Sequence, residues 1–410
     1  MIMRMAIRNL LRHRRRTLLT ASLITLGVVA VLLFLSVAGS FRSMMIGQIT
    51  DAMLGHLQVH RRGYVASTDN LPLNLNLSPA AIEQIQSVLD SLEHVEASST
   101  RIKFGAMLSN YVETSNVRLN AIEPEREHAT VPLLAGRIQG AKSKIFARGE
   151  LLIPELLAKG MKIKIGDTVV LVATNREGSV NGKNFKVAGL VTSLSGPGGR
   201  DGYLHIEDAR ELLRLKQAEV TEFAVRLDSL SNLPGVVKKL KKKLGAKAGE
   251  SAFGLEVHSW RQLSPFSNIA GMIDLLTLFI QIMLVSIVLI SVMNVMIMSV
   301  YERIREIGTV AAIGFRPRTI LRMFLVEGLL LGAVGVSVGV VVSLVSIGVL
   351  NAAELSYAFG RQQDLLLQPT VDVFTVVVVA LGVMAVSAIA SLQPALKASR
   401  MDPIDALRHV

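Results

Sequence analysis

The sequence predicts a membrane protein: four transmembrane α-helices with a large α/β extracytoplasmic domain inserted between helices 1 and 2. Three observations carry this. Half of the 410 residues are hydrophobic and mean hydropathy is positive, which is too apolar for one soluble core of this size. Asp, Glu, Lys and Arg vanish between Arg16 and Arg42, between Asp274 and Glu302, between Glu327 and Glu354, and between Asp372 and Lys397. Each window exceeds the roughly 20 residues that a helix needs to cross a bilayer core. Between the first two windows the pattern turns mixed and polar for long enough to make a folded domain.

The expected boundaries follow from these windows. Residues 1–16 form a cytoplasmic amphipathic helix, and the spans cover 17–41, 275–301, 328–353 and 373–396. The inserted domain with stalk extensions is 42–270, the cytoplasmic segment between spans 2 and 3 is 302–318, the external loop 354–371 and the cytoplasmic tail 397–410. The first window is too long for the apolar core of a cleaved signal peptide, and three more spans follow, so it reads as a retained helix.

Charge orients the chain. The first 16 residues hold six Arg and no acid, the 302–327 loop holds five Arg against three Glu, and residues 394–410 add one net positive charge, so these flanks carry +9 of the net +12. Basic residues beside spans hold loops in the cytoplasm and meet anionic headgroups. Both termini and the 302–327 loop are therefore expected inside, with 42–270 on the outer side of the membrane. So placed, the charge points to membrane lipids and not to nucleic acid. The lack of cysteine removes disulfides, thiol catalysis and cysteine-ligated metals.

Arg4, Arg8 and Arg12 share one face of the first helix, with Met3, Ile7, Leu10 and Leu11 on others, as in a helix lying on the inner leaflet. After span 1, Phe41, Met45, Ile49 and Met53 keep helical spacing, as do Phe266, Ile269 and Ile273 before span 2. Either the two spans project as a stalk with facing apolar seams, or both segments lie flat in the interface. Within the insertion, Ser78-Pro79 caps a helix whose apolar face holds Ile82, Ile85, Val88, Leu89 and Leu92. Leu151–Ile153, Thr168–Thr174, Lys183–Leu194 and Val220–Leu227 read as strands, Glu207–Lys216 and Asn232–Leu244 as helices, enough for two small α/β subdomains sharing a base. Span 3 carries Gly328, Gly332, Gly335 and Gly339, which admit a close helix neighbour within the chain or across an oligomer interface.

Catalytic signatures are missing. The one Gly-Lys pair, Gly182-Lys183, precedes Asn184 and lacks the glycine spacing of a phosphate-binding loop; neither H-E-x-x-H nor G-x-S-x-G occurs. His56 and His60 flank a strand-like stretch without a carboxylate ligand, so no metal is expected. Lys238, Lys239, Lys241, Lys242 and Lys243 read as the solvated face of a helix.

The informative cytoplasmic segment runs from Glu302 through Arg303, Arg305, Glu306, Ile307 and Gly308 to Gly314. It is expected to continue span 2 as a helix with alternating charge, which gives way to small and apolar residues until Gly314 breaks the helix before Pro317 starts the next. By its residues alone, a groove-inserting segment and a plain connecting loop stand level.

The run Glu302-Arg303-x-Arg305-Glu306-Ile307-Gly308, with Gly314 and Phe324-Leu325-x-Glu327, resembles the coupling region of the FtsX-like/MacB-type ABC permease superfamily. The closing Pro394-Ala395-x-x-Ala398-Ser399-Arg400-x-Asp402-Pro403-Ile404-Asp405-Ala406-Leu407-Arg408 is similar to its final signature. Ala6–Arg12 and Gly55-His56-Leu57-Gln58-Val59-His60-Arg61-x-Gly63-Tyr64 resemble the lipoprotein-releasing (LolC/LolE-like) branch. The resemblance implies a permease subunit without its own ATP-binding site. ATP and Mg would sit on a separate cytoplasmic ABC ATPase, and a second permease copy or sister permease would complete the dimer. ATPase closure would pass through the coupling segment to the periplasmic domain, for lipoprotein release. The other outcomes it allows are an FtsX-like regulator of a wall hydrolase and a MacB-like drug or toxin efflux subunit with an adaptor. In the lipoprotein branch a hairpin can carry a hook for a periplasmic carrier. The matching stretch, Thr174 to Asn184 with Asn175, Arg176, Glu177 and Gly178 at its turn, has no proline and is shorter than that hook.

Overall fold

The computed structural model describes residues 2–12, 14–140, 146–193, 200–247, 254–359 and 362–402. The stretch Gly196-Pro197-Gly198-Gly199, which reads as a turn from its composition, and residues 403–408 of the closing motif lie outside the described residues. The chain divides into two compact units. One comprises Met1–Ser43, Gly271–Tyr357 and Asp364–Val410; the other comprises Met44–Ala270 with Ala358–Gln363.

A short helix, Ile2–Arg12, precedes span 1, Arg14–Ile49, whose residues up to Ser43 belong to the first unit. Span 2 is Phe266–Glu302, span 3 Pro317–Ala352 and span 4 Val373–Ser399. All four are long and apolar enough to cross a membrane. The first three start or end well beyond the charge-free windows, because a charged residue at the bilayer edge need not stop a helix when it has a partner. Arg42 Nε lies 2.7 Å from Asp274 Oδ1, joining spans 1 and 2. The loop expected at 354–371 contains a two-stranded hairpin, Ser356–Phe359 with Gln362–Leu366.

Phe41 of span 1 and Ile273 of span 2 line one apolar groove with Phe34, Val37, Leu276 and Ile280; its volume is about 640 Å³. Further along the expected seams the pattern is partly different. Ile49, Met53 and Phe266 pack into the core of the second unit, whereas Ile269 is 39% exposed.

The second unit is built on one sheet. Its strands are β1 (Leu57–Arg61), β2 (Val95–Ser109), β3 (Thr114–Ile122), β4 (Ile138–Gln139), β5 (Glu150–Pro154), β6 (Thr168–Thr174), β7 (Val180–Val191), β8 (Gly202–His205), β9 (Glu222–Leu227) and β10 (Leu255–Ser259). They lie in the order β10-β1-β9-β2-β3-β8-β5-β7-β4, with β6 paired to both β2 and β7. Two subdomains were the expectation, and this pairing overturns it: β6 bonds to β2 at Met107–Ser109 and to β7 along its whole length, stitching the strands together. Ser78 caps the helix Pro79–Asp90 by accepting from Ala81 N–H, and Ala81, Ile85, Val88 and Leu89 are buried. The helix expected at Glu207–Lys216 is shorter, Ile206–Leu212, and Arg214 follows it with a positive φ of 51°.

Inside this unit lies a buried ion network. Arg101 Nη2 is 2.7 Å from Glu127 Oε1 and its Nη1 is 3.0 Å from Glu222 Oε1, which also receives Lys103 Nζ at 2.9 Å. Two cations meet two carboxylates, so the net charge is balanced. Burial alone would raise Glu222, but Lys103, the His60 hydrogen bond and Arg101 together hold it well below its ordinary value of 4.5. A carboxylate depressed in the folded state contributes stability above its unfolded pKa and loses it as pH falls through the folded one. Unfolding followed through Trp260, the single tryptophan and 2% exposed, should therefore show a plateau above pH ~4.5 and a decline below it. Glu222→Gln should lower the plateau and flatten the decline; an identical acid profile in the variant would contradict this role.

Candidate functional site

The segment between spans 2 and 3 forms a capped turn. Span 2 does not continue through it, contrary to expectation. The helix stops at Glu302, Arg303 adopts φ −114° and ψ 18°, and a separate helix, here labelled the coupling helix after the expectation for this segment, runs Ile304–Ala312. The cause is the Arg303 side chain, which turns inward. Its Nη1 donates to Glu327 Oε2 of span 3 at 3.1 Å and its guanidinium lies 5.6 Å from the Phe324 ring centre. Glu327 is 1% exposed, so the pair is buried. Arg303 Nε also donates to Glu306 Oε2 at 3.2 Å. Glu306 sits in the first turn of the coupling helix, where a carboxylate faces the positive end of the helix dipole. Its other oxygen receives Arg12 Nη1 at 3.2 Å, from the N-terminal helix.

The far end of the coupling helix is closed by the backbone. Gly314 N–H donates to Ala311 C=O at 3.0 Å and Phe315 N–H to Val310 C=O at 3.3 Å, the Schellman pattern. It requires a left-handed residue, and Gly314 has φ +96°. Pro317 then occupies the first turn of span 3. Ile304, Ile307 and Gly308 face inward, while Glu302, Arg305, Thr309 and Ala312 face out and Ile313 is 74% exposed. A rigid helix end thus holds a large apolar side chain outward beside the cations Arg316 and Arg318.

The glycines of span 3 pack within the chain, against two different neighbours. A Cβ on Gly332 would lie 2.8 Å from Ser387 Oγ of span 4, and one on Gly328 would collide with Ser391. A Cβ on Gly335 would lie 2.6 Å from Ile24 Cβ, and one on Gly339 2.7 Å from Val28 Cβ, both in span 1. Span 3 is therefore wedged between spans 1 and 4 and carries the Arg303 anchor at its base.

The 174–184 hairpin is compact. Thr174 ends β6, Val180 begins β7, and Asn175 Oδ1 accepts from Glu177 and Ser179 N–H at 3.0 and 2.8 Å. Gly178 supplies the positive φ of 85°. Arg176 lies 3.7 Å from Glu219, and Tyr111 donates to Asn184 Oδ1 at 3.5 Å. Nothing here extends as a hook. His56 Nδ1 accepts from Leu227 N–H at 3.0 Å and His60 Nε2 lies 3.4 Å from Glu222. Among the described residues no cluster of three metal-ligating side chains occurs.

Two members of the site escaped sequence reasoning. Glu327 stood only as part of a motif, although an acid at the edge of an otherwise uncharged span is a signal in itself. Arg12 read as one of several surface cations, and only its geometry ties it to Glu306.

Residues 278–403 match the FtsX-like permease C-terminal family, and residues 17–243 match the MacB-like periplasmic core domain. The chain is 24% identical over 417 residues to the lipoprotein-releasing system transmembrane protein LolC of Neisseria meningitidis, covering 96% of this chain and 94% of that one. It is 26% identical over 424 residues to the macrolide export ATP-binding/permease protein MacB of Wolinella succinogenes, covering 99% of this chain but 60% of that protein's length. With the four-span bundle and the inserted sheet domain, these matches define an ABC-transporter permease subunit. Since the periplasmic core match takes in more than half of the residues, the chain belongs to the MacB-like family, joined to an FtsX-like permease region.

Proposed function

We propose that this subunit sits in the bacterial inner membrane with both termini and the coupling turn in the cytoplasm, and that it transmits ATP hydrolysis by a separate ABC ATPase to its periplasmic domain. A second permease copy or a sister permease completes the complex. ATP and Mg belong to the partner, and this chain supplies the lever. The observation that carries the reading is the coupling turn: a helix fixed at one end by the buried Arg303–Glu327 pair and at the other by a Schellman cap, presenting Ile313 outward. Such a knob suits a groove on a partner.

The cargo is proposed to be lipoprotein. The LolC relative matches along nearly its full length, and the groove between spans 1 and 2 is apolar, about 640 Å³ in volume and lined by Phe34, Val37 and Phe41, a chemistry that suits acyl chains. The tight 175–179 turn supports a reading in which a carrier, if one is used, meets another surface, or in which this subunit takes the non-hook role in a pair. A MacB-like efflux complex with an adaptor is the second reading, favoured by the same compact hairpin.

The test uses the complex purified from native membranes into nanodiscs. A triacylated lipoprotein should stimulate ATP turnover several-fold, and its unacylated form should not. Val37→Trp with Leu276→Trp should abolish the stimulation while leaving basal turnover in place. Equal responses to the two forms would overturn the cargo reading.

A further inference from the structure

The N-terminal helix presents three contiguous faces. Ala6 is fully buried and Leu10 packs against the span bundle. Beside them Met3, Ile7 and Leu11, one turn apart, are 55%, 44% and 59% exposed. Next around the helix come Arg4, Arg8 and Arg12, all exposed. Buried, apolar and cationic faces in that sequence describe a helix at a lipid–water boundary, apolar stripe toward acyl chains and guanidinium groups among headgroups. An acidic protein would pair with the arginines but leave the apolar row uncovered; a membrane surface satisfies both.

One of these arginines is also a member of the coupling site. Arg12 reaches Glu306, and the pair is open to solvent, with side chains 69% and 48% exposed. Exposed ion pairs are weak, while a row of arginines against an anionic surface gains with each added cation. A headgroup of net negative charge therefore competes for Arg12 on favourable terms. When it prevails, Glu306 keeps Arg303 and loses its tie to the N-terminal helix.

We propose that the N-terminal helix is an anionic-lipid sensor: headgroups of net negative charge draw Arg4, Arg8 and Arg12 to the membrane surface and release Arg12 from Glu306, so that surface charge sets how firmly the coupling helix is tethered. This holds whatever the cargo, and requires no ATPase to be present.

The lack of cysteine makes the test direct. Asn9→Cys and Thr309→Cys in the full chain are spin-labelled, and their separation is measured by pulsed dipolar spectroscopy in vesicles. Both leaflets carry the same lipid, so sidedness does not affect the readout. In pure phosphatidylcholine one short distance should dominate. In an equal mixture with phosphatidylglycerol a longer population should grow about threefold, and added salt should shrink it again. Glu306→Gln should produce the longer population in neutral lipid. Arg4→Gln with Arg8→Gln, both exposed and outside the ion pair, should abolish the response to lipid charge. A distribution indifferent to phosphatidylglycerol, or a response that survives the double substitution, would overturn the proposal.

Discussion

Replacing Glu327 by alanine should cost about 3–5 kcal/mol, because it leaves the Arg303 guanidinium buried without its main counter-charge. Glu306, half-exposed, is the partner that remains. The expected result is a large drop in the thermal midpoint of the detergent-solubilised chain and loss of cargo-stimulated ATPase activity in the complex. Arg303→Leu with Glu327→Leu separates stability from coupling. Exchanging a whole buried pair for apolar side chains is often neutral or stabilising, so the midpoint should recover. The turn at Arg303 would lose its cause, however, and coupling should stay low. An unaltered midpoint in Glu327→Ala would show that the pair does not anchor the turn.

The second large effect is expected in span 3. Gly335→Leu places a side chain where the Cβ alone would stand 2.6 Å from Ile24, and Gly332→Leu does the same against Ser387. Overpacking costs about 1–3 kcal/mol per site even where neighbours can shift. Here the opposing atoms are Ile24 Cβ and Cγ2 at 2.6 Å and Ser387 Oγ and Cβ at 2.8 and 2.9 Å, side-chain atoms close to a helix backbone with little room to give. Both variants should lower the midpoint and the yield of assembled complex. Gly348→Ala in the same span and Gly382→Ala in span 4 meet nothing within 4 Å. They should be neutral or slightly stabilising, through a helix propensity gain of about 1 kcal/mol at most. Equal damage from all four substitutions would mean that general helix perturbation, and not this packing, is what counts.

The spans were legible because charge vanishes over each of them, a signal that does not depend on tertiary context. Their ends were not. Arg42 stays within span 1 because Asp274 of span 2 meets it, and a partner more than 200 residues away leaves no local trace. The two longest early strands, β2 and β3, went unread for a related reason. Arg101 and Lys103 interrupt β2 with charge that reads as surface, yet Arg101 is 1% exposed inside the ion network. Thr168–Thr174 matched its strand residue for residue because alternation was clean there. In the coupling turn, Gly314 and Pro317 marked the boundaries correctly, since caps are local chemistry. The break at Arg303 is set by Glu327, 24 positions on, and could not be seen from the alternating charges around it. The glycine stripe announced close packing, while only the fold told which spans it serves.

The central claim is that the turn from Glu302 to Gly314 is where a cytoplasmic ABC ATPase engages this subunit. A photo-crosslinking amino acid at Ile313, in cells expressing the full chain from its native locus, tests it most directly. Ultraviolet exposure should yield an adduct whose second component is an ABC ATPase by mass spectrometry. The same probe at Val377, an exposed apolar position in span 4, should yield none. Absence of an ATPase adduct at Ile313, or equal capture from Val377, would contradict the account.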